Sequence, residues 1–232
     1  KHKNNLYNFF VFLIIIIVVW SLLVFASLSY VISREQDQTN ELAYATADAN
    51  FRKDVALRYW ASSHGGLYVP LSNFAPPNPY LSHIPDRDIK GSNGKEYTLL
   101  NPAYFLRLLH EQFGSLFGVK SKIVSLKPLN PINNPDDWEK NSLEKLKKNV
   151  DRISEFQNID NVPYFRYIVP FKTEKSCLKC HAIQGYKEGD VQGGISVSLP
   201  MTSLYDKERN QIYTHILSSS ILWIFGIVII II

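Results

Sequence analysis

The chain's only two cysteines lie three residues apart, with a histidine directly behind them: Cys177-Leu178-Lys179-Cys180-His181. Thiols at i and i+3 can reach both vinyl groups of one porphyrin as thioethers. The imidazole that follows is then presented to the iron as its proximal ligand. The motif therefore predicts haem c, an iron porphyrin bonded covalently to Cys177 and Cys180, with His181 on the metal. Three other chemistries compete. A thioredoxin-like dithiol wants a strand-to-helix setting with its first cysteine at a helix N-terminus, whereas Lys172-Thr173-Glu174-Lys175 reads as a charged turn. A zinc site needs four ligands, and there is no second cysteine pair. A plain disulfide is open to any extracytoplasmic protein.

The sixth iron position has several candidates. No third cysteine exists to supply a distal thiolate. His2 and His215 flank apolar runs, too near a bilayer. His64 leads, because it ends a helix at Ser62-Ser63-His64-Gly65-Gly66, where two glycines would let backbone approach a flat macrocycle. His110 lies beside the apolar face of another helix and reads equally well as a packed side chain. Met201, the one methionine, follows a strand at Leu199-Pro200 and is the alternative metal ligand. An open or water-bound iron completes the set. An open position would favour gas sensing, and two fixed ligands would favour redox sensing or electron transfer. Haem propionates call for cations, and Arg52, Arg58, Arg107 and Arg166 form the pool. Trp60, Tyr68, Tyr104, Phe105, Tyr164 and Phe165 are the aromatic supply for the pocket walls. Of these groups, Arg58 and Trp60, on the segment leading to His64, are taken as cofactor contacts.

The elements that must position these residues begin with an apolar run. Residues 9–31 carry no charge and are long enough to span a hydrocarbon core of roughly 30 Å as a helix. A signal peptide is the alternative, but the run exceeds a typical signal core and no small-residue cleavage site follows. Lys1 and Lys3 put residues 1–8 in the cytoplasm by the positive-inside tendency, which leaves residues 33–214 outside. A second apolar run, 216–232, is still continuing at Ile232, so the sequence is expected to be a piece of a longer protein. Beyond the first span, 23 Lys+Arg face 21 Asp+Glu, a balance with no electrostatic footprint for nucleic acid.

Between the spans, residues 34–63 read as a polar helix. Residues 65–85 carry five prolines and read as an ordered loop. Asn101 caps a helix with Pro102 in its first turn, an apolar face of Tyr104, Phe105, Leu108, Leu109 and Phe113, and a stop at Gly114. Residues 120–126 suggest a strand. A further amphipathic helix opens at Asn134-Pro135-Asp136-Asp137 and runs through Leu143, Leu146, Val150, Ile153 and Phe156. Residues 164–171 and 194–199 read as strands, the latter with Ile195, Val197 and Leu199 on one face. From Thr202 a helix restarts toward the second span. The layout is α+β.

Several strings carry a resemblance beside the cysteine motif: Arg58-Tyr59-Trp60-Ala61-Ser62-Ser63-His64-Gly65-Gly66-Leu67-Tyr68-Val69-Pro70, Pro76-Pro77-Asn78-Pro79-Tyr80-Leu81, Leu100-Asn101-Pro102-Ala103-Tyr104 and Gly193-Gly194-Ile195-Ser196-Val197-Ser198. Over residues 40–205 the chain resembles the bacterial c-type-haem sensor family. That resemblance implies a PAS-like periplasmic input domain on the bacterial inner membrane, acting as a homodimer. It implies a cytoplasmic histidine kinase or diguanylate cyclase as output. The leading function is a receptor in which redox state or a small gas alters ligation at the haem. Cys177, Cys180 and His181 match its haem motif. Some relatives use a distal cysteine, which this chain lacks. A membrane-anchored cytochrome and a haem-free small-ligand receptor are the rival functions.

Overall fold

With no Gly or Pro to interrupt it, one helix, α1, runs from His2 to Ser63. The computed structural model describes residues 2–181 and 184–232, with the side chains of residues 2–4, 176, 179 and 180 outside the description. The chain divides into two units, one made of residues up to 43 with 202–232, the other of residues 44–201.

The first unit contains the start of α1 and α5 (Thr202–Ile231), both long and apolar enough to cross a membrane by length and composition. The two helices are joined by indole contacts. Trp20 Nε1 donates to the Trp223 carbonyl at 3.3 Å, and Trp223 Nε1 donates to Ser21 Oγ at 2.9 Å. Glycine at 226 permits this approach, since a Cβ there would fall 2.3 Å from the Trp20 ring.

The second unit is α+β. Strands β1 (Leu67–Pro70), β2 (Asp88–Lys90) and β3 (Glu96–Leu100) make a small antiparallel sheet in the order β1-β3-β2. Then come α2 (Pro102–Phe117), β4 (Lys120–Ser125), α3 (Asp137–Leu146), β5 (Ile153–Ile159), β6 (Val162–Lys172), α4 (Lys175–His181) and β7 (Val191–Pro200). The main sheet is antiparallel throughout, in the order β4-β7-β6-β5.

Side-chain alternation explains why β6 is buried on both faces. Ile168 points into a cluster with Val124, Leu143 and Leu146 beneath α3. Arg166, on the same face, pairs with Asp136 at 2.7 Å and Glu139 at 3.2 Å at the start of α3. Phe165 and Tyr167 take the opposite face, edge-on to Tyr44 of α1 at 6.5 and 5.5 Å. Helix α3 begins with a full capping box, Asp136 accepting from Glu139 N and Glu139 accepting from Asp136 N. Against the edge strand β4, a Cβ on Gly193 of β7 would meet the Val124 carbonyl oxygen at 2.1 Å, so only glycine fits.

Several expectations need correction. Helix α3 ends at Leu146, followed by Asn149 at φ 62°, and Ile153 and Phe156 belong to β5. A spacing of three that would share a helix face puts them on opposite faces of a strand: Ile153 opposite Ile168, Phe156 opposite Phe165. Helix α2 runs through Gly114 to Phe117 and ends at Gly118, whose φ of 64° is the left-handed cap. The proline-rich segment begins with β1, an edge strand whose last residue is Pro70, where proline costs least. The expected helix over 34–63, the strands at 120–126, 164–171 and 194–199, and the helix from Thr202 are all present, with bounds shifted by a few residues.

Candidate functional site

The cysteine motif sits on α4, directly after β6. Thr173 N donates to the Asp190 carbonyl at 2.8 Å, and Gly189 N to the Thr173 carbonyl at 2.9 Å, so both ends of the loop carrying the motif are tied together. Cys177 N donates to the Glu174 carbonyl at 2.9 Å, and Glu174 N lies 3.5 Å from Cys177 Sγ. The charged turn expected at 172–175 is thus a strand-to-helix junction: Lys172 closes β6, Lys175 opens α4, and two residues join them. This is the setting a redox dithiol would want, and the sequence argument against that chemistry loses its basis. The side chain of Cys180 lies outside the described residues.

His181 is held by a relay. Its Nδ1–H donates to Gln184 Oε1, and Gln184 Nε2 donates to the Lys127 carbonyl at 2.7 Å. In a neutral ring this leaves the lone pair on Nε2. Burial pushes the His181 pKa down, and the Arg58 charge adds to that against the opposing Gln184 bond, so the neutral form is favoured. An oriented, neutral imidazole with its lone pair on Nε2 is what a metal requires.

Beside His181 open two adjoining clefts of about 250 and 100 Å³, which share Arg58, Leu81, Asn101, Ala103 and His181. Each wall has a local cause. The end of α1 supplies Arg58, Ser62 and Gly65. Gly65 and Gly66 at φ 75° and 104° close that helix by donating to the Ser62 and Ala61 carbonyls. The proline-rich segment supplies Leu81 and Ile84, anchored where Tyr104 Oη donates to the Pro76 carbonyl at 2.8 Å. The start of α2 is fixed by Asn101, whose side chain accepts from Tyr104 N at 2.9 Å. Strand β3 adds Leu99, and β6 adds Phe171.

Two guanidinium groups line this space. Arg58 Nη2 lies 3.7 Å from Cys177 Sγ, and its plane covers the Phe171 ring at 4.6 Å. Arg107 lines the smaller cleft, and its buried Nε makes a 3.6 Å ion pair with Glu111 one turn along α2. Tyr59 donates to Glu174, and that bond together with burial raises the phenol pKa. The end of α1 therefore touches α4 twice, through Arg58 and Tyr59.

Of the residues expected at the site, the structure brings together Cys177, His181, Arg58, Arg107 and Tyr104. His64 is exposed, its Nδ1 2.8 Å from the Trp60 carbonyl and its ring 4.7 Å from that of Trp60. Neither His64 nor Trp60 lines the clefts. Met201 is fully buried at the end of β7, donates its N–H to the Pro163 carbonyl, and is likewise away from the lining. Arg52 is spent on Asp48, and Arg166 on Asp136 and Glu139. Tyr164 and Phe165 belong to the sheet. Sequence reasoning missed Gln184, Asn101, Leu81, Leu99 and Phe171 as site residues. Asn101 was visible only as a cap. The others carry no signal, because their role comes from chain segments that meet in space.

Residues 34–200 match the model of the Tll0287-like family, described as Tll0287. A solved structure titled as the crystal structure of the cyanobacterial heme-protein Tll0287 is similar at 13% identity, with 69% of this chain and 95% of that chain covered and a TM-score of 0.44. No curated protein matches.

Proposed function

The chain belongs to the Tll0287-like family, and on that premise we propose that residues 33–214 are an extracytoplasmic haem c sensor domain between two membrane-spanning helices. A haem protein gives the family its name. The observation that carries the reading is the meeting of Cys177, an oriented neutral His181 and two guanidiniums on one largely apolar space.

The residues present fit the group. Cys177 and Cys180 would hold the macrocycle as thioethers, and His181 Nε2 would hold the iron. The guanidiniums of Arg58 and Arg107, both on the lining, would receive propionates. Leu81, Ile84, Leu99 and Phe171 would exclude water from its faces. When bound, the iron porphyrin supplies a redox-active centre able to take a diatomic gas. Gln184 fixes the tautomer of His181, and the relay to Lys127 keeps the ring from turning. With His64 and Met201 away from the lining, the geometry favours an open sixth position and a small gas as the signal. A shift of α4 reaches α1 first through Arg58–Cys177 and Tyr59–Glu174. By chain continuity α1 and α5 would then carry it to a cytoplasmic histidine kinase or diguanylate cyclase, in a homodimer of the inner membrane. The antiparallel sheet packed by helices supports the PAS-like description.

One observation favours a second reading. The strand-to-helix position of Cys177 suits a dithiol–disulfide pair. Expression with a cytochrome maturation system, followed by intact mass and a pyridine haemochrome spectrum, separates the two. Added porphyrin mass with a thioether spectrum is expected. A protein of unmodified mass whose cysteines cycle between thiol and disulfide would overturn the haem reading. Carbon monoxide bound by the ferrous form as fast in His64→Ala as in wild type is expected of an open position.

A further inference from the structure

A second cavity lies between α2 and β4, the edge strand of the main sheet. It holds about 570 Å³ between walls of Leu106, Val119, Ile123 and Ile132. That volume falls within the roughly 300–1,000 Å³ of sites that take small organic molecules. Neither His181 nor Cys177 is on its lining.

The ionisable side chains of the lining are spent before any ligand arrives. Arg107 Nε pairs with Glu111 at 3.6 Å, one turn along α2. Lys122 Nζ lies 2.8 Å from Glu139 of α3. Lys120 Nζ sits over the Tyr164 ring at 5.2 Å, and Tyr164 is not part of the lining. His110 Nε2 is 3.0 and 3.1 Å from the two oxygens of Asp54, which is fully buried and also receives the Ser121 hydroxyl. A charged ligand would give up its hydration here and find each counter-charge already taken. The cleft selects an uncharged molecule.

One buried polar atom of the lining makes neither a hydrogen bond nor an ion pair among the described residues. It is Nδ1 of His110, in a side chain only 9% exposed. A carboxylate such as Asp54 only accepts, so Nε2 carries a proton. Nδ1 is then an acceptor in the neutral ring and a donor in the cation. A hydroxyl both donates and accepts, so it answers Nδ1 in either form. Apolar walls around one idle nitrogen describe a neutral alcohol with an apolar body.

We propose that this cleft binds a small uncharged aromatic alcohol, its rings against Leu106, Val119, Ile123 and Ile132 and its hydroxyl on His110 Nδ1. Haem need not be present for the argument to hold. Pro200, which closes β7, is also on the lining, and α5 begins at Thr202. The occupant therefore touches the strand end from which the chain enters α5.

The test titrates the full chain in nanodiscs with 2-naphthol, read by nuclear magnetic resonance of isoleucine methyl groups. The Ile123 and Ile132 signals, assigned through Ile123→Val and Ile132→Val, report the cleft directly and ignore probe dissolved in lipid. Both are expected to shift and saturate with 2-naphthol. The anion 2-naphthoate should bind at least tenfold more weakly. The isosteric 2-methylnaphthalene, which lacks the hydroxyl, should be weaker by fivefold or more. Gly114→Leu blocks the site without burying anything new in the core, because a Cβ at Gly114 meets nothing within 4 Å and the leucine would fill the cleft from α2. It should abolish the naphthol shifts while the melting temperature stays at or above that of wild type, since leucine suits a helix better than glycine. Methyl signals unmoved by 2-naphthol, naphthoate or methylnaphthalene binding as tightly, or shifts that survive Gly114→Leu would each overturn the proposal.

Discussion

The ground beneath α3 and the space beside His181 lie a few residues apart along β6, yet they are built on opposite terms. Beneath α3, Val124, Leu143, Leu146 and Ile168 are almost wholly shielded from solvent and touch one another. The guanidinium there is held by ion pairs, with Arg166 set between Asp136 and Glu139 and covered by the Trp138 ring at 4.3 Å. Three residues along the strand, at Phe171, the packing stops. There α1, β3, α2 and α4 leave two adjoining clefts between them, and two guanidinium groups line the space. The first region holds the fold together, and the second is held open by it. An unfilled space inside a fold is a cost a protein carries where a ligand repays it.

The contrast predicts that variants of the two regions fail in different ways. The largest effect belongs to the cysteines. Cys177→Ala or Cys180→Ala should abolish the covalent haem signal on a denaturing gel while leaving the circular dichroism of the chain unchanged. Loss of secondary structure in either would break the separation between site and core. Next is Leu143→Ala, which should cost roughly 2–5 kcal/mol by opening a cavity in the sealed cluster, read as a fall in unfolding midpoint. Gly193→Ala should cost roughly 1–3 kcal/mol or more, because its Cβ meets backbone that cannot move aside.

Asp136 sharpens the comparison through pH. Burial raises its pKa, but hydrogen bonds from Arg166 and the Glu139 backbone outweigh it and hold the carboxyl below its ordinary value. Its stabilising contribution is therefore complete above the unfolded carboxylate pKa of about 3.9 and fades as pH falls through the lower folded value. Asp136→Asn keeps the helix cap and loses the ion pair. Because the aspartate side is half open to solvent, about 1 kcal/mol should go at neutral pH. The loss should shrink toward the acid limb of a stability–pH profile. The smallest effect is expected of Arg58→Met. Haem attachment and melting should stay near wild type, while removing a cation beside the site lowers the reduction potential, measured by spectroelectrochemistry.

Much of the fold was legible because its signals are local. Asn101 and Asp136 cap the helices their chemistry announces, and the alternation of Ile195, Val197 and Leu199 marked a strand. The misreading of Val150, Ile153 and Phe156 as helix has a physical origin. Apolar residues three apart fit one helix face, and they fit equally well a strand buried on both sides. The small sheet was hidden by its prolines and by the shortness of its strands. At the site, the helix end at Ser62–Gly66 was visible, but the direction of the His64 ring was not. Its ring turns back to the Trp60 carbonyl.

From its own order of residues the chain determined two apolar runs, the punctuation of its helices and a cysteine pair with a histidine behind it. Each of these depends on neighbours within a turn or two of chain, where covalent spacing fixes what can meet. Tertiary structure alone decided where each arginine would be spent. Arg166 and Arg107 look alike in sequence, yet one is locked between two carboxylates and the other, with only a 3.6 Å pair to Glu111 on its own helix, lines the cleft beside His181. Burial and ion pairing depend on segments brought together from across the fold, and no local spacing encodes them.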